Sequence, residues 1–316
     1  MYLSHLSLTH FRNYAHLEFD FQGALTLLQG ENAQGKTNLL EAIYFLATSK
    51  PVHAVSEREV VDWAASNEPI PYARVAAVVQ VDGRSTQLEI LLSPREGQEG
   101  FRKQVRINGV ARRAMDLVGQ LRAVLFLPED IRLVDGSPGE RRRHLDIALC
   151  QMDRGYCRAL SQFQRVLEQR NSLLRGLREQ GASAHAPGVD AQLGFWDGQL
   201  VALGSTVIAA RYRLLRDLEE SGRPLHAELS GEREQLALQY LPSFNPGHLS
   251  DTDFAHLSDE RFAADIALQA PVALEESLVA AHFGAKLRQR RAREIDAGTT
   301  LYGPHRDDLR LLTNGR

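Results

Sequence analysis

Hydrophobic and polar positions follow two rhythms along this chain, short alternations early and helical recurrences later. Tyr2–Thr9 alternates weakly, as a strand with one buried face does. Leu17–Phe21 reads as its neighbour and Gly23 as a turn. The apolar run Leu25-Thr26-Leu27-Leu28-Gln29 then has strand character, and Leu39, Leu40, Ala42, Ile43, Leu46 and Ala47 recur at helical spacing. Ala73–Val81 is rich in valine, turns at Asp82-Gly83 and is answered by Thr86–Leu92. Lys103–Ile107 ends at Asn108-Gly109, a second dipeptide suited to a two-residue hairpin. The first third is therefore α/β, with an antiparallel section beside a strand–loop–helix unit.

The rhythm changes near residue 121. Ala123–Leu127 is a buried-strand candidate stopped by Pro128. Ser56-Glu57-Arg58-Glu59 and Ser137-Pro138-Gly139-Glu140 have capping-box form, the second with proline at the first helical position. The chain reads as helical from about 153 to 180, with Leu160, Phe163, Leu167, Leu174 and Leu177 near one stripe. After a loop over Gly181–Asp190, residues Leu193, Trp196, Leu200, Leu203, Val207, Ala210 and Leu214 form a short heptad seam. That spacing predicts a stubby antiparallel helical arm. Residues 222–272 read as loop and short helices with one strand near Leu236–Tyr240, and Pro271–Ile295 as a helix with a basic end. Leu309–Thr313 is a strand running into Asn314-Gly315. A hairpin there would leave that strand with an unpaired edge, which natural folds avoid, so the pattern predicts a fragment of a longer chain.

The strand–loop–helix unit carries the chemistry. Gly30, Glu31, Asn32, Ala33, Gln34, Gly35, Lys36 and Thr37 match the phosphate-binding loop pattern, with flanking glycines and a closing Lys-Thr. Glycine lets the main chain wrap a phosphate closely, and the following helix N-terminus favours negative charge. In that geometry Lys36 reaches the β- and γ-phosphates of ATP, and the Thr37 hydroxyl ligates Mg²⁺.

Composition adds limits. A chain of 316 residues exceeds one small core and predicts two lobes. No apolar run approaches eighteen residues, and Met1–His5 lacks the features of a secretion signal. Cys150 and Cys157 lie seven residues apart in a helical segment. That is about 10 Å, too far for a disulfide, so the thiols should be reduced and the protein cytoplasmic. The net charge of −3 excludes a uniformly basic nucleic-acid binder but leaves room for local patches. Two are candidates for DNA contact: Arg141, Arg142 and Arg143, and the run holding Lys286, Arg288, Arg290, Arg291 and Arg293.

Four stretches together resemble the bacterial RecF family of recombination and repair ATPases. They are Leu8–Tyr14; Gly30–Thr37 with Asn38–Ile43; Leu127–Asp130 with Gly136-Ser137-Pro138, Arg141-Arg142 and Leu145-Asp146; and Gly303–Arg306 with Asp308. His144 departs from the family, which usually has an aromatic ring there. The resemblance implies a P-loop ATPase head of ABC/SMC type with an inserted, mainly helical second lobe. It assigns 1–120 and 297–316 to the ATP-binding lobe and 121–296 to the helical one. It also implies ATP-dependent binding of single-stranded, double-stranded and gapped DNA, recombinase loading, and roles in replication and the SOS response. RecR, RecO and a second copy of the chain are the implied partners, and Arg12 is a further candidate near the nucleotide. The family's serine-glycine signature and its acidic strand are not found in this sequence, although Ala123–Asp130 superficially imitates the latter. A nucleotide-binding scaffold without hydrolysis is the alternative. A transporter subunit and a small-molecule kinase fit less well.

Overall fold

The computed structural model describes residues 1–52, 56–65, 71–95, 100–184, 186–257 and 274–315. The chain divides into two compact units, Met1–Leu127 with Cys150–Arg154, and Pro128–Leu149 with Gly155–Arg316. This differs from the expected division. Residues 297–316, assigned by sequence to the nucleotide-binding lobe, lie in the second unit, where a strand at 308–313 has its partner.

The first unit is built on six antiparallel strands: β1 (Tyr2–Phe11), β2 (Tyr14–Asp20), β3 (Ala73–Val81), β4 (Arg84–Pro94), β5 (Phe101–Ile107) and β6 (Val110–Arg112). Their order is β2-β1-β3-β4-β5-β6. Asp82-Gly83 and Asn108-Gly109 both have positive φ at their two residues, as a type I′ turn requires. They fix the registers Val81↔Arg84 and Ile107↔Val110. Period-two alternation then sends Leu6, Leu8, Val75, Ala77, Val79, Leu88 and Ile90 to one face. Helix α1 (Lys36–Thr48) covers that face with Leu39, Ala42, Phe45 and Leu46. Burying each large apolar side chain stabilises by roughly 1.5–3 kcal/mol, so this layer is what fixes α1 on the sheet.

Two expected strands did not form. Leu25–Gln29 and Ala123–Leu127 belong to no ladder among the described residues. Leu25 is 91% and Leu27 84% exposed, and Val124 and Phe126 are 97% and 84% exposed. An apolar run signals a tendency to be buried but supplies no neighbouring strand. At Ala123 the Gln151 amide stands in for one: it accepts from the backbone N–H at 2.8 Å and donates to the carbonyl at 3.2 Å.

The second unit is mainly helical, with helices Pro138–Met152, Arg154–Glu179, Val189–Ser230 and Glu276–Ala297. The first of these ends with residues that count with unit 1. Leu174 and Leu177 pack against Val189, Leu193 and Ile295, which supplies the expected helical pairing. Helix Val189–Ser230 runs well past the predicted seam, through Pro224, and stops at left-handed Gly231. It is long and apolar enough to cross a membrane by length and composition. Leu193, Leu200, Val207 and Ile208 are nevertheless fully buried, as in a core helix of a globular unit. Strands β7 (Leu236–Leu241) and β8 (Asp308–Thr313) pair antiparallel, so the terminal strand is not left alone as expected. The start of the expected 271–295 helix falls outside the described residues, and the helix seen begins at Glu276.

Candidate functional site

The Gly30–Thr37 loop leads directly into α1, with Gly35 as its N-cap. Gly35 has φ 96°, and a Cβ there would stand 2.7 Å from the Asn13 amide and 2.9 Å from the Tyr14 hydroxyl. Only glycine fits. Glu31, Asn32, Ala33, Gln34 and Thr37 are exposed, and the first turn of α1 carries no acidic residue. The positive end of the helix dipole therefore meets no carboxylate of its own turn. The Lys36 ammonium donates to the carbonyls of Gly30 at 2.8 Å and Glu31 at 2.5 Å, which holds it across the loop.

The β1–β2 turn clasps this loop from outside. Tyr14 donates its hydroxyl to the Gly35 carbonyl at 3.1 Å, and Asn38 donates to the Asn13 side chain at 2.8 Å. Burial pushes the Tyr14 phenol up, so it stays a donor. Arg12, at left-handed φ 56°, forms a two-pronged pair with Glu41 of α1 at 2.9 and 2.7 Å. A third bond reaches the Glu59 carbonyl at 2.9 Å. Glu41 is almost fully buried. Arg12 therefore ties the turn to α1 in this structure rather than standing free beside the loop. The expected capping box at Ser56 forms, with the Ser56 N–H bonded to Glu59 at 3.1 Å.

The basic candidates separate by environment. Arg141 makes a two-pronged ion pair with Asp308 at 2.8 Å on each arm and a bond to the Gly136 carbonyl at 2.7 Å. Arg142 donates to the Asp307 carbonyl at 2.6 Å, and desolvation presses its pKa down. Arg291 bridges Asp190 and Asp197, Lys286 lies over the Tyr302 ring at 4.9 Å, and Arg290 is only partly exposed. Arg143, Arg288 and Arg293 are exposed, as is His144. Cys150 and Cys157 are half-buried thiols that form no disulfide.

The signature segments at 136–146 and 303–308 meet in one polar network inside the second unit. Arg211, 2% exposed, donates to Asp146 at 2.8 Å and to the Pro304 carbonyl at 2.7 Å. Tyr156 donates to the same Asp146. Asp307 is fully buried and accepts from the Tyr240 hydroxyl and the Ser243 N–H, both at 2.8 Å. Burial raises its pKa. His305 bonds the Thr300 carbonyl at 3.2 Å, and burial pulls its pKa down to about 4. The same logic recurs at Arg170, which is wholly buried between Asp197 at 2.8 Å, Glu294 at 2.7 Å and Thr300 at 2.8 Å. Sequence reading did not single out Arg170, Arg211 or Asp197. A charged residue falling on the apolar line of a helix, as Arg170 does between Phe163 and Leu174, is the signal available.

The profile of the RecF/RecN/SMC N terminal domain matches residues 2–256. A DNA replication and repair protein RecF from Chloroflexus aurantiacus is 43% identical over all of this chain and 76% of its own length. That from Herpetosiphon aurantiacus is 40% identical over 98% of this chain and 74% of its own. Among solved structures, the recombination mediator protein RecF-ATP in the RecFOR pathway aligns at TM-score 0.79 and 26% identity. It covers 99% of this chain and 74% of that one. A profile over most of the chain, relatives at 40% identity or more and a shared fold agree, and the chain belongs to the RecF family of DNA replication and repair proteins.

Proposed function

We propose that this chain binds ATP and Mg²⁺ at Gly30–Thr37 and uses that binding to control its hold on DNA during recombinational repair and replication. The observation that carries the reading is the loop itself, an exposed run from Gly30 to Gln34 that Gly35, packed too closely on Asn13 and Tyr14 to carry a Cβ, joins to the N-terminus of α1. Lys36 would neutralise the β- and γ-phosphates, Thr37 would ligate the cation, and the loop N–H groups would take the remaining phosphate oxygens. What ATP supplies when bound is concentrated negative charge on which a second copy of the chain can close. Tyr14 holds the loop at Gly35, and Asn13 and Arg12 tie the β1–β2 turn to α1 beside it.

The relatives' shared name as replication and repair proteins supports this reading, as does the neighbour determined with ATP. Both favour it over a transporter subunit, a small-molecule kinase or a passive scaffold. RecR and RecO are proposed partners because the structural neighbour works in the RecFOR pathway. A cytoplasmic location follows from a chromosomal substrate. Of the eight candidate cations in the runs 141–143 and 286–293, Arg143, Arg288 and Arg293 are the ones exposed for phosphate contact. The test is duplex DNA binding with and without ATP in the wild type and in Lys36→Ala. ATP should tighten binding by the wild type alone. An equal response in Lys36→Ala would refute the coupling.

A further inference from the structure

The sheet face turned away from α1 is polar and carries a second basic surface. Residues Phe101–Arg113 contain five cations, Arg102, Lys103, Arg106, Arg112 and Arg113, and no carboxylate, in a chain whose net charge is −3. The strand registers sort them. Val105 is buried on the core face, so Arg102, Gln104 and Arg106 point outward from β5. Lys103 turns the other way, donating to the Ser49 carbonyl at 2.9 Å and pairing with Glu57 at 3.0 Å. Ala111 sits opposite Arg106, and the extended backbone at Arg113 continues that alternation, which sets Arg113 on the same outer face.

The carboxylate available there does not cancel this charge. Glu89, opposite Arg106 on β4, is shared between Arg74 at 2.8 Å and Arg106 at 3.4 Å. One negative charge thus answers two guanidiniums. Arg102 and Arg113 are both exposed; the carboxylate at Arg113 is Asp116, which accepts from its backbone N–H at 3.2 Å and leaves the guanidinium outward. The acidic side chains Glu18 and Asp20, already engaged by His5, lie on β2 at the far side of the sheet. Three strand spacings separate β1 from β5, so β2 is about 19 Å away, beyond the ~8 Å screening length at physiological salt. Between the two ends a shallow groove of about 350 Å³ runs over Ala76, with Glu18 and Arg106 among its walls.

We propose that this outer face, at Arg102, Arg106 and Arg113, takes the phosphodiester backbone of duplex DNA; the proposal rests on the DNA-binding reading above. Arg102, Arg106 and Arg113 each present a planar guanidinium fork that matches a phosphate. Arg102 and Arg106 are four residues apart on one strand, about 13 Å. That is close to the ~12 Å width of the major groove, so the two can meet phosphates on its opposite walls. The ladder holds their Cα atoms rigidly, and contacts of this kind carry affinity without sequence preference.

The test compares wild type, Arg102→Ala/Arg106→Ala/Arg113→Ala and Arg143→Ala/Arg288→Ala/Arg293→Ala. Binding of a fluorescent duplex is followed over a salt series with ATP and Mg²⁺ present. The sheet variant should lose at least tenfold in affinity while keeping its melting temperature and its ATP affinity. Its salt slope should fall by up to roughly 2.7, at about 0.9 per lost phosphate contact. Unchanged duplex affinity in the sheet variant overturns the inference and leaves the DNA-binding reading standing. No duplex binding by the wild type overturns that reading and this inference with it. Polyglutamate of matched charge competing as well as the duplex would assign the face to acidic chains and overturn the duplex assignment.

Discussion

The phosphate loop and the signature network treat charge in opposite ways. At Gly30–Thr37 the polar groups are exposed, Lys36 rests on two loop carbonyls, and the neighbouring apolar residues Leu25 and Leu27 face solvent. Around Arg211, Asp146 and Asp307 the charges are buried or half-buried and fully bonded, Arg211 to Asp146 and the Pro304 carbonyl, Asp307 to Tyr240 and Ser243. Motif residues of one family thus do two kinds of work. Those of the loop are mostly exposed, as the proposed ATP binding requires, whereas most of those at 136–146 and 303–308 are arranged to hold a unit together. Arg141 illustrates the second kind, since its guanidinium is committed to Asp308 and Gly136.

That contrast can be broken most severely at Arg211. Arg211→Ala leaves Asp146 without its cation and opens a void among Tyr156, Tyr240 and Pro304. Removing one partner of a buried pair costs about 3–5 kcal/mol. Denaturant unfolding should show that loss in the second unit, and a loss under 1 kcal/mol would mean the network contributes little. His305 gives the next effect. Its folded pKa of about 4 lies below the ordinary 6.5, so the unfolded chain binds the extra proton between those values. Stability should therefore fall as pH drops from about 6.5 towards 4, by roughly 3 kcal/mol in the limit. Asp307, raised by burial, acts in the opposite sense, so the comparison is the difference between wild type and His305→Gln. That difference should flatten above pH 7, and a pH-independent difference would contradict the assignment.

Smaller effects sharpen the same contrast. Ser137→Ala removes a cap in which the Ser137 N–H meets Glu140 at 2.7 Å and the Ser137 hydroxyl accepts from the Glu140 N–H at 3.4 Å. It should cost about 1 kcal/mol in thermal or denaturant unfolding. A cost near zero would show that Pro138 alone sets the start of the helix.

Where local chemistry dictates structure, the sequence was legible. Asp82-Gly83, Asn108-Gly109 and the capping boxes at Ser56 and Ser137 each encode a backbone geometry within four residues, and each formed. The loop leading into α1 was legible for the same reason, because the glycine demand at Gly35 is local. Leu25–Gln29 and Ala123–Leu127 misled because a ladder needs a distant neighbour that no apolar run specifies. Arg170 was hidden for the same cause. Its partners Asp197, Glu294 and Thr300 lie 27, 124 and 130 residues away, and in isolation it reads as a solvated helix cation. The outward arginines of β5 could have been read from strand parity together with the absence of any acid between Phe101 and Arg113.

On the proposed reading, ligand binding resides in the Gly30–Thr37 loop and structural integrity in the buried network. Calorimetric titration of MgATP into wild type, Lys36→Ala and Arg141→Gln, each also melted, tests it most directly. Lys36→Ala should lose about ten- to a hundredfold in affinity, as expected for charge-assisted bonds of roughly 1.5–3 kcal/mol, with its melting temperature unchanged. Arg141→Gln should melt earlier and bind MgATP as the wild type does. Wild-type affinity in Lys36→Ala, or a selective loss of affinity in Arg141→Gln, would contradict the account.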